Sequence, residues 1–401
     1  MKTTTAWGAL ALILLAAAAG CGRKALPGGS AKDADMSPER LRGVSAVIEE
    51  AINRKELPGA VLLVARRGKV VYHEAFGDMS TVPERRPMAK DMIFDLASLT
   101  KPVATATSVM ILAERGKLSL WDRVKMYIPD FEPYRDWLGE PSDDARLWHL
   151  LTHTSGLPPY TDAEAAGKAL GNPCSTEALV KYISALPKSA APGENFAYSC
   201  LGYITLAHIV HAVTGRTVAD FAAENIFKPL GMKNTGYLPD PKFADRLVPT
   251  QVIEGKPLLG VVHDPLARLQ GGISGNAGLF STAADLAIFA QMLLQGGEYK
   301  GVRILGPLAV ERMTSIYPRT AASGRGLGWD LDSAYSSNGG DLFGSQGFGH
   351  TGYTGTSAWI DPETKTAVIL LTNSVHPDDK GTVVPLRARV ANVVASAVLK
   401  K

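Results

Sequence analysis

Three cysteines in 401 residues are too few for a disulfide framework. Charge never gathers into blocks: 42 Lys and Arg stand against 39 Asp and Glu, a net charge of +3 spread along the chain. That leaves no basic arm or stripe for nucleic acid. No repeat recurs at a fixed period, so a solenoid or propeller is excluded. Gly-x-Ser-x-Gly is missing, and with it the nucleophile elbow of an α/β-hydrolase. His149 and His153 stand four apart but lack the Glu of His-Glu-x-x-His, so no zinc site and no cofactor is expected. What is present is ordinary globular composition, 46% hydrophobic and 20% charged, in a chain long enough for one large domain or two.

The apolar run at the N-terminus, "AWGALALILLAAAA" from Ala6 to Ala19, follows Lys2. It has the length of a signal-peptide core and is short of the roughly 20 residues of a spanning helix. The run ends in "AAGC", which resembles a bacterial lipobox, with Ala18 where Leu is usual. Residues 1–21 therefore read as a lipoprotein signal peptide and Cys21 as the lipidated residue. Residues 22–37, small, polar and rich in Pro and Gly, read as a flexible tether. Gly22 in place of Asp resembles the pattern sorted to the outer membrane. The expected location is thus exported and lipid-anchored in the cell envelope, on the periplasmic face. Cys174 and Cys200 remain beyond Cys21, and no spacing rule says whether they pair.

Residues 38–401 read as the folded domain. An amphipathic helix starts near Ser37 with Leu41, Val44, Val47, Ile48 and Ile52 on one face. "AVLLVARRGKVVYHEAFG" gives two strands about the turn Arg67-Gly68. Two more strands flank Asp361-Pro362, and Val383 to Leu399 reads as a helix. Strands at both ends and helices between them predict an α/β (α+β) fold. One antiparallel sheet is built from both ends of the chain and flanked by helices, with an all-helical subdomain inserted over roughly 100–320. Within it, "PVATATSVMILAERG" is apolar on all sides, as a buried helix is. "TAADLAIFAQMLLQGG" opens with a Thr282/Asp285 cap.

Ser98 and Lys101 lie at the start of that buried helix, three residues apart and so on one face. A serine hydroxyl needs a base to act as nucleophile, and a lysine can serve if burial lowers its pKa. Further on come "FAYSCLGY", with Tyr198, and "FGHTGYTGT", with His350 and Gly352. In this order and spacing the chain resembles the class C β-lactamase-like serine hydrolases. That family includes class C β-lactamases, low-molecular-weight penicillin-binding proteins, D-aminopeptidases and esterases. "LLTHTSGLP", "GNAGLFSTAADLA", "GLGWD" and "LLTNSVHP" extend the resemblance over about residues 38 to 399. It implies Ser98 as nucleophile and Lys101 and Tyr198 as shared general base and acid. It places His350 and Gly352 beside the substrate and gives the oxyanion hole to the N–H groups of Ser98 and Tyr353.

Two departures narrow the activity. Cys200 stands where a β-lactamase has Asn, and a thiol cannot both donate and accept as an amide does. His350 stands where many relatives have Lys; if it titrates near its usual value, activity should inflect near pH 6.5. Both resemble the esterase and peptidase branches. The expectation is a metal-independent serine hydrolase working through an acyl-enzyme on carboxylic esters or D-amino-acid cell-wall peptides. The alternatives are a class C-type β-lactamase and a non-catalytic cell-wall or β-lactam binding or sensing protein. Its partners are a small-molecule or peptidoglycan-derived substrate and the membrane reached through the lipid.

Overall fold

The computed structural model describes residues 25–380 and 382–401. Its centre is β1 (Gly59–Arg66), buried at every position. β1 turns into β2 (Lys69–Ser80) through Arg67 and Gly68, with φ of 48° and 78°. Positive φ at both central residues is what a tight hairpin with the right-handed twist requires, and Gly meets it without strain.

On the other side β1 pairs with a strand from the far end of the chain. β3 (Arg86–Pro87), β4 (Phe348–Thr351), β5 (Ser357–Asp361) and β6 (Thr366–Thr372) complete an antiparallel sheet in the order β4-β5-β6-β1-β2-β3. Register is fixed along the join, from Ala60 opposite Thr372 to Arg66 opposite Thr366.

Alternation sorts the two faces. Ala60, Leu62 and Val64, with Val368 and Leu370, meet α1 (Pro38–Asn53) and the C-terminal helix Val384–Ser396. Val61, Leu63 and Ala65, with Ile369 and Leu371, face the helical region and share its core. A residue set apolar on both faces explains why β1 and β6 read as unbroken hydrophobic runs.

The stretch expected to be a flexible tether, 22–37, is packed onto this body from Leu26 onward. Val70 donates to the Pro27 carbonyl and Gly29 donates back to Val70, each at 2.9 Å. Leu26, Ala31, Ala34 and Met36 are buried. A Pro/Gly-rich composition concealed four apolar residues at the positions that meet the sheet and helices. The signal peptide and Cys21 lie outside the described residues.

Between the two sheet segments in the sequence, and packed on one face of the sheet, lie the helices that carry the site, with short strands among them. α2 (Thr107–Glu114) is entered through a π-helical stretch, Lys101–Ala106. α3 (Cys200–Thr214) and α4 (Ala283–Leu294) are capped by Ser199 and Thr282. Phe94–Asp95 pairs with Leu279–Ser281, which pairs with Gly236–Tyr237. Among the described residues no helix is long and apolar enough to cross a membrane.

Candidate active site

Ser98 sits between the two halves of the molecule, in a one-turn 3-10 helix, Ala97–Leu99. The turn is held from beneath by Asp95. Its carboxylate accepts from the Ala97 N–H at 2.9 Å and from the His263 N–H at 2.7 Å. Ala97 is in the left-handed region, φ 45°, a strained backbone for a residue with a Cβ. Burial pushes Asp95 up to about 6, against the pull of those two N–H groups.

Lys101 opens the π-helical stretch and is completely buried. Its Nζ donates to Ser98 Oγ at 2.9 Å, to the Asn276 carbonyl at 3.0 Å and to Cys200 Sγ at 3.5 Å. Three acceptors for three N–H donors suit an ammonium. Tyr198 closes the group, its ring centroid 5.1 Å from Nζ.

Burial alone was expected to lower the Lys101 pKa, and the balance runs the other way. Burial penalises the ammonium, but interaction with Cys200 and Tyr198, when these carry negative charge, outweighs it and moves Lys101 upward. Burial likewise raises the Tyr198 phenol, opposed by Lys101, and raises the Cys200 thiol. Both directions favour the protonated forms, ammonium with phenol, so the coupled pair must give up one proton before it can accept that of Ser98.

His153 and Ser199 fix the Tyr198 corner. His153 stacks on Tyr198 at 4.4 Å, and its Nδ1 accepts the Ser199 N–H at 3.0 Å. His149 Nδ1 likewise accepts from Arg146 N–H, so each imidazole serves a backbone turn. Cys200 and Cys174 are free thiols.

The third element arrives on β4. His350 lies 6.0 Å from the Tyr198 ring, buried, its Nδ1 bonded to the Thr351 carbonyl at 2.8 Å. A carbonyl accepts only, so Nδ1 carries the proton and Nε2 is left as an unpartnered acceptor. Burial first, and then the nearby Arg325 and Lys101, hold His350 well below the usual imidazole range. That direction runs against the expected inflection near pH 6.5 and favours a neutral acceptor there.

Gly352 follows, at a place where a Cβ would stand 2.2 Å from Thr356 Oγ1 and 2.3 Å from the Leu96 carbonyl. Its missing side chain lets the β4–β5 turn lie against the backbone just before Ser98. Thr354 Oγ1 bonds the Asp95 carbonyl at 2.8 Å and Thr356 Oγ1 the Leu96 carbonyl at 3.0 Å. Arg387, from the C-terminal helix, bonds the Gly352 and Thr356 carbonyls at 2.9 and 3.0 Å. Tyr353, 67% exposed, stands at the mouth with its hydroxyl 3.3 Å from Asp379.

A cleft of about 450 Å³ opens over Ser98, Tyr198, His350 and Tyr353, with Arg325 and Arg387 in its wall. Ser98, Lys101, Tyr198, Cys200, His350, Gly352 and Tyr353 thus come together. Asp95, His153, Asn276, Arg325 and Arg387 were not singled out as functional from the sequence. Asp95 sits three residues before Ser98, and Arg325 sits in the Gly-rich run before Trp329. Each stood beside a recognised motif, but neither has a spacing rule of its own.

A buried Lys101 between half-buried Ser98 and Tyr198, at the floor of a cleft between a sheet and a helical region, defines a serine hydrolase of the β-lactamase fold. The family model described as Beta-lactamase matches residues 44–392, and the chain belongs to that family. It is 32% identical over 376 residues to the N-acetylmuramyl-L-alanine amidase of Bacillus subtilis (strain 168), covering 86% of this chain and 84% of that one. It is 31% identical over 373 residues to a candidate D-alanyl-D-alanine carboxypeptidase of Escherichia coli (strain K12), covering 86% and 85%. Among solved structures the fold is similar to EstCE1, a hydrolase with promiscuous acyltransferase activity. There the TM-score is 0.71 at 24% identity, over 90% of this chain and 99% of that one. The octameric penicillin-binding protein homologue from Pyrococcus abyssi gives 0.67 at 25%, over 89% and 76%.

Proposed function

We propose that this protein hydrolyses carboxylic esters or D-amino-acid peptides of the cell wall through an acyl intermediate on Ser98. The 2.9 Å contact between a fully buried Lys101 and Ser98 Oγ, closed off by Tyr198, carries the reading. Ser98 Oγ attacks the substrate carbonyl carbon, and its proton passes to the Lys101–Tyr198 unit. The new C–O bond leaves an oxyanion, received by the N–H groups of Ser98 and Tyr353. The oxyanion collapses, the bond to the leaving oxygen or nitrogen breaks, and that atom takes the proton. Water then repeats the sequence and frees Ser98. The relatives named as amidase and carboxypeptidase support a cell-wall amide. Cys200, with its neutral thiol in place of an amide, argues against efficient β-lactam turnover.

The mature chain begins at lipidated Cys21 and is held at the periplasmic face of the cell envelope, in the outer membrane of a Gram-negative cell. The apolar run Ala6–Ala19 and the "AAGC" that ends it support this. Mass spectrometry of the native N-terminus should find a diacylglyceryl cysteine, and an unmodified N-terminus elsewhere refutes it. For the reaction, a fluorophosphonate should label Ser98, and a panel of p-nitrophenyl esters, D-Ala peptides and nitrocefin should show turnover of the first two classes. An active protein labelled at another residue, or one that neither labels nor turns over the panel, defeats the reading.

A further inference from the structure

Arg325 is a buried charge beside the site with little to hold it. It is 1% exposed, and its Nε and Nη2 have no hydrogen-bond partner. Its Nη1 lies 3.6 Å from Asp330, a carboxylate already accepting from the Ser333 hydroxyl at 2.7 Å. A buried guanidinium with two idle donors calls for a reason. The guanidinium lies 5.9 Å from the centroids of both Tyr198 and Phe196.

The other groups around Tyr198 each have a different standing. Ser98 gives up a proton in the reaction, and Lys101 shares one with Tyr198. Burial raises the Cys200 thiol and the Tyr203 phenol, and neither group carries positive charge in any form. His153 and His350 are held neutral, burial being the first cause in each. Tyr335, 5.5 Å away, adds an aromatic face. A guanidinium keeps its charge through this whole range.

We infer that Arg325 is the permanent cation of the proton-transfer site, a positioning residue that favours negative charge on the Tyr198 oxygen as Ser98 is deprotonated. This rests on the reading of Ser98, Lys101 and Tyr198 given above. Lys101 cannot fill that role alone, because its own charge changes with the proton it shares. Arg325 does not share that proton, and at 1% exposure its field is weakly screened. Removing it takes a like charge away from Lys101 and an opposite charge away from Tyr198. Both changes raise the pH at which the pair becomes able to accept the Ser98 proton.

The test is kcat/KM against pH for the full chain on a neutral p-nitrophenyl ester and on a carboxylate-bearing D-peptide, with Ser98 labelling by a fluorophosphonate alongside. Arg325→Met should move the ascending limb up by about one pH unit, costing about tenfold at neutral pH and recovering in alkali. Arg325→Lys should restore most of the loss. Asp330→Asn, which removes the loose counter-charge, should move the limb the opposite way and keeps the inference testable if Arg325→Met does not fold. Unmoved limbs in the folded variants overturn it. So does a rise in KM confined to the carboxylate-bearing peptide, which would make Arg325 a substrate anchor instead. If Ser98 of the unsubstituted protein is not labelled, the reading of the nucleophile fails rather than the role of Arg325.

Discussion

Asp95 offers a direct measure of how the nucleophile's turn is held. Its carboxyl rises from an ordinary 3.8 to about 6 because burial outweighs the two N–H groups it accepts. A carboxyl whose folded pKa is raised binds its proton more tightly in the native state. Its contribution to stability is therefore full below pH 3.8 and is lost as pH rises through 6. Integrated over that window the loss is about 2.5 kcal/mol between pH 4 and 7, with about half of it between pH 5 and 7.

In Asp95→Asn that slope is gone. The amide oxygen can accept from only one of Ala97 and His263, and the NH2 group opposes the other. The variant should be less stable by about 1–3 kcal/mol at pH 4–5, where even the protonated native carboxyl keeps a lone pair on each oxygen for the two N–H groups and an amide nitrogen has none. At pH 7, where the native protein bears a buried charge, the gap should narrow by about 2 kcal/mol. Urea denaturation of both proteins at several pH values gives the difference directly, and titrations elsewhere cancel in it. Two parallel curves of stability against pH would refute the reasoning, because they would mean Asp95 does not titrate in this range.

Four further outcomes follow from the geometry. Gly352→Ala must force apart the turn and the Leu96 backbone; it should cost about 1–3 kcal/mol in thermal or urea unfolding and reduce Ser98 labelling at least tenfold. Lys101→Ala and Tyr198→Phe should each lower kcat by about 10²–10⁴-fold with the fold intact by circular dichroism. His350→Gln should change the level of kcat/KM on a neutral ester but not its shape between pH 5.5 and 8, roughly the imidazole range, since the native imidazole is already neutral there. Arg387→Met removes two buried bonds to the Gly352 and Thr356 carbonyls and should lower kcat more than it raises KM, read from saturation kinetics.

The sheet was legible because β1 and β6 are continuous apolar runs and their hairpins carry turn residues at Arg67-Gly68 and Asp361-Pro362. Ser98, Lys101, Tyr198 and His350 were legible as an ordered set of short motifs. Their protonation states were not, since these depend on which groups burial brings together. Lys101 was expected to fall and instead rises with Cys200 and Tyr198 as neighbours, while His350 falls out of its usual range. The packing of Leu26 to Met36 was hidden because small and polar residues separate its apolar ones. Asp95 and Arg325 were invisible as functional groups: one carboxylate and one guanidinium acquire a role only from what lies across the cleft.

β1 pairs with β6, and the turn that completes the cleft around Ser98 comes from the segment just before it. During synthesis from the N-terminus the serine is therefore made long before the turn it needs. A growing or truncated chain lacks the Thr354 and Thr356 hydroxyls that hold the Asp95–Leu96 backbone. Reactivity is thus withheld until the last strands dock. Active-site labelling consequently reports docking of that turn, and a deletion that removes residues 352–356 should silence a nucleophile whose own segment is untouched.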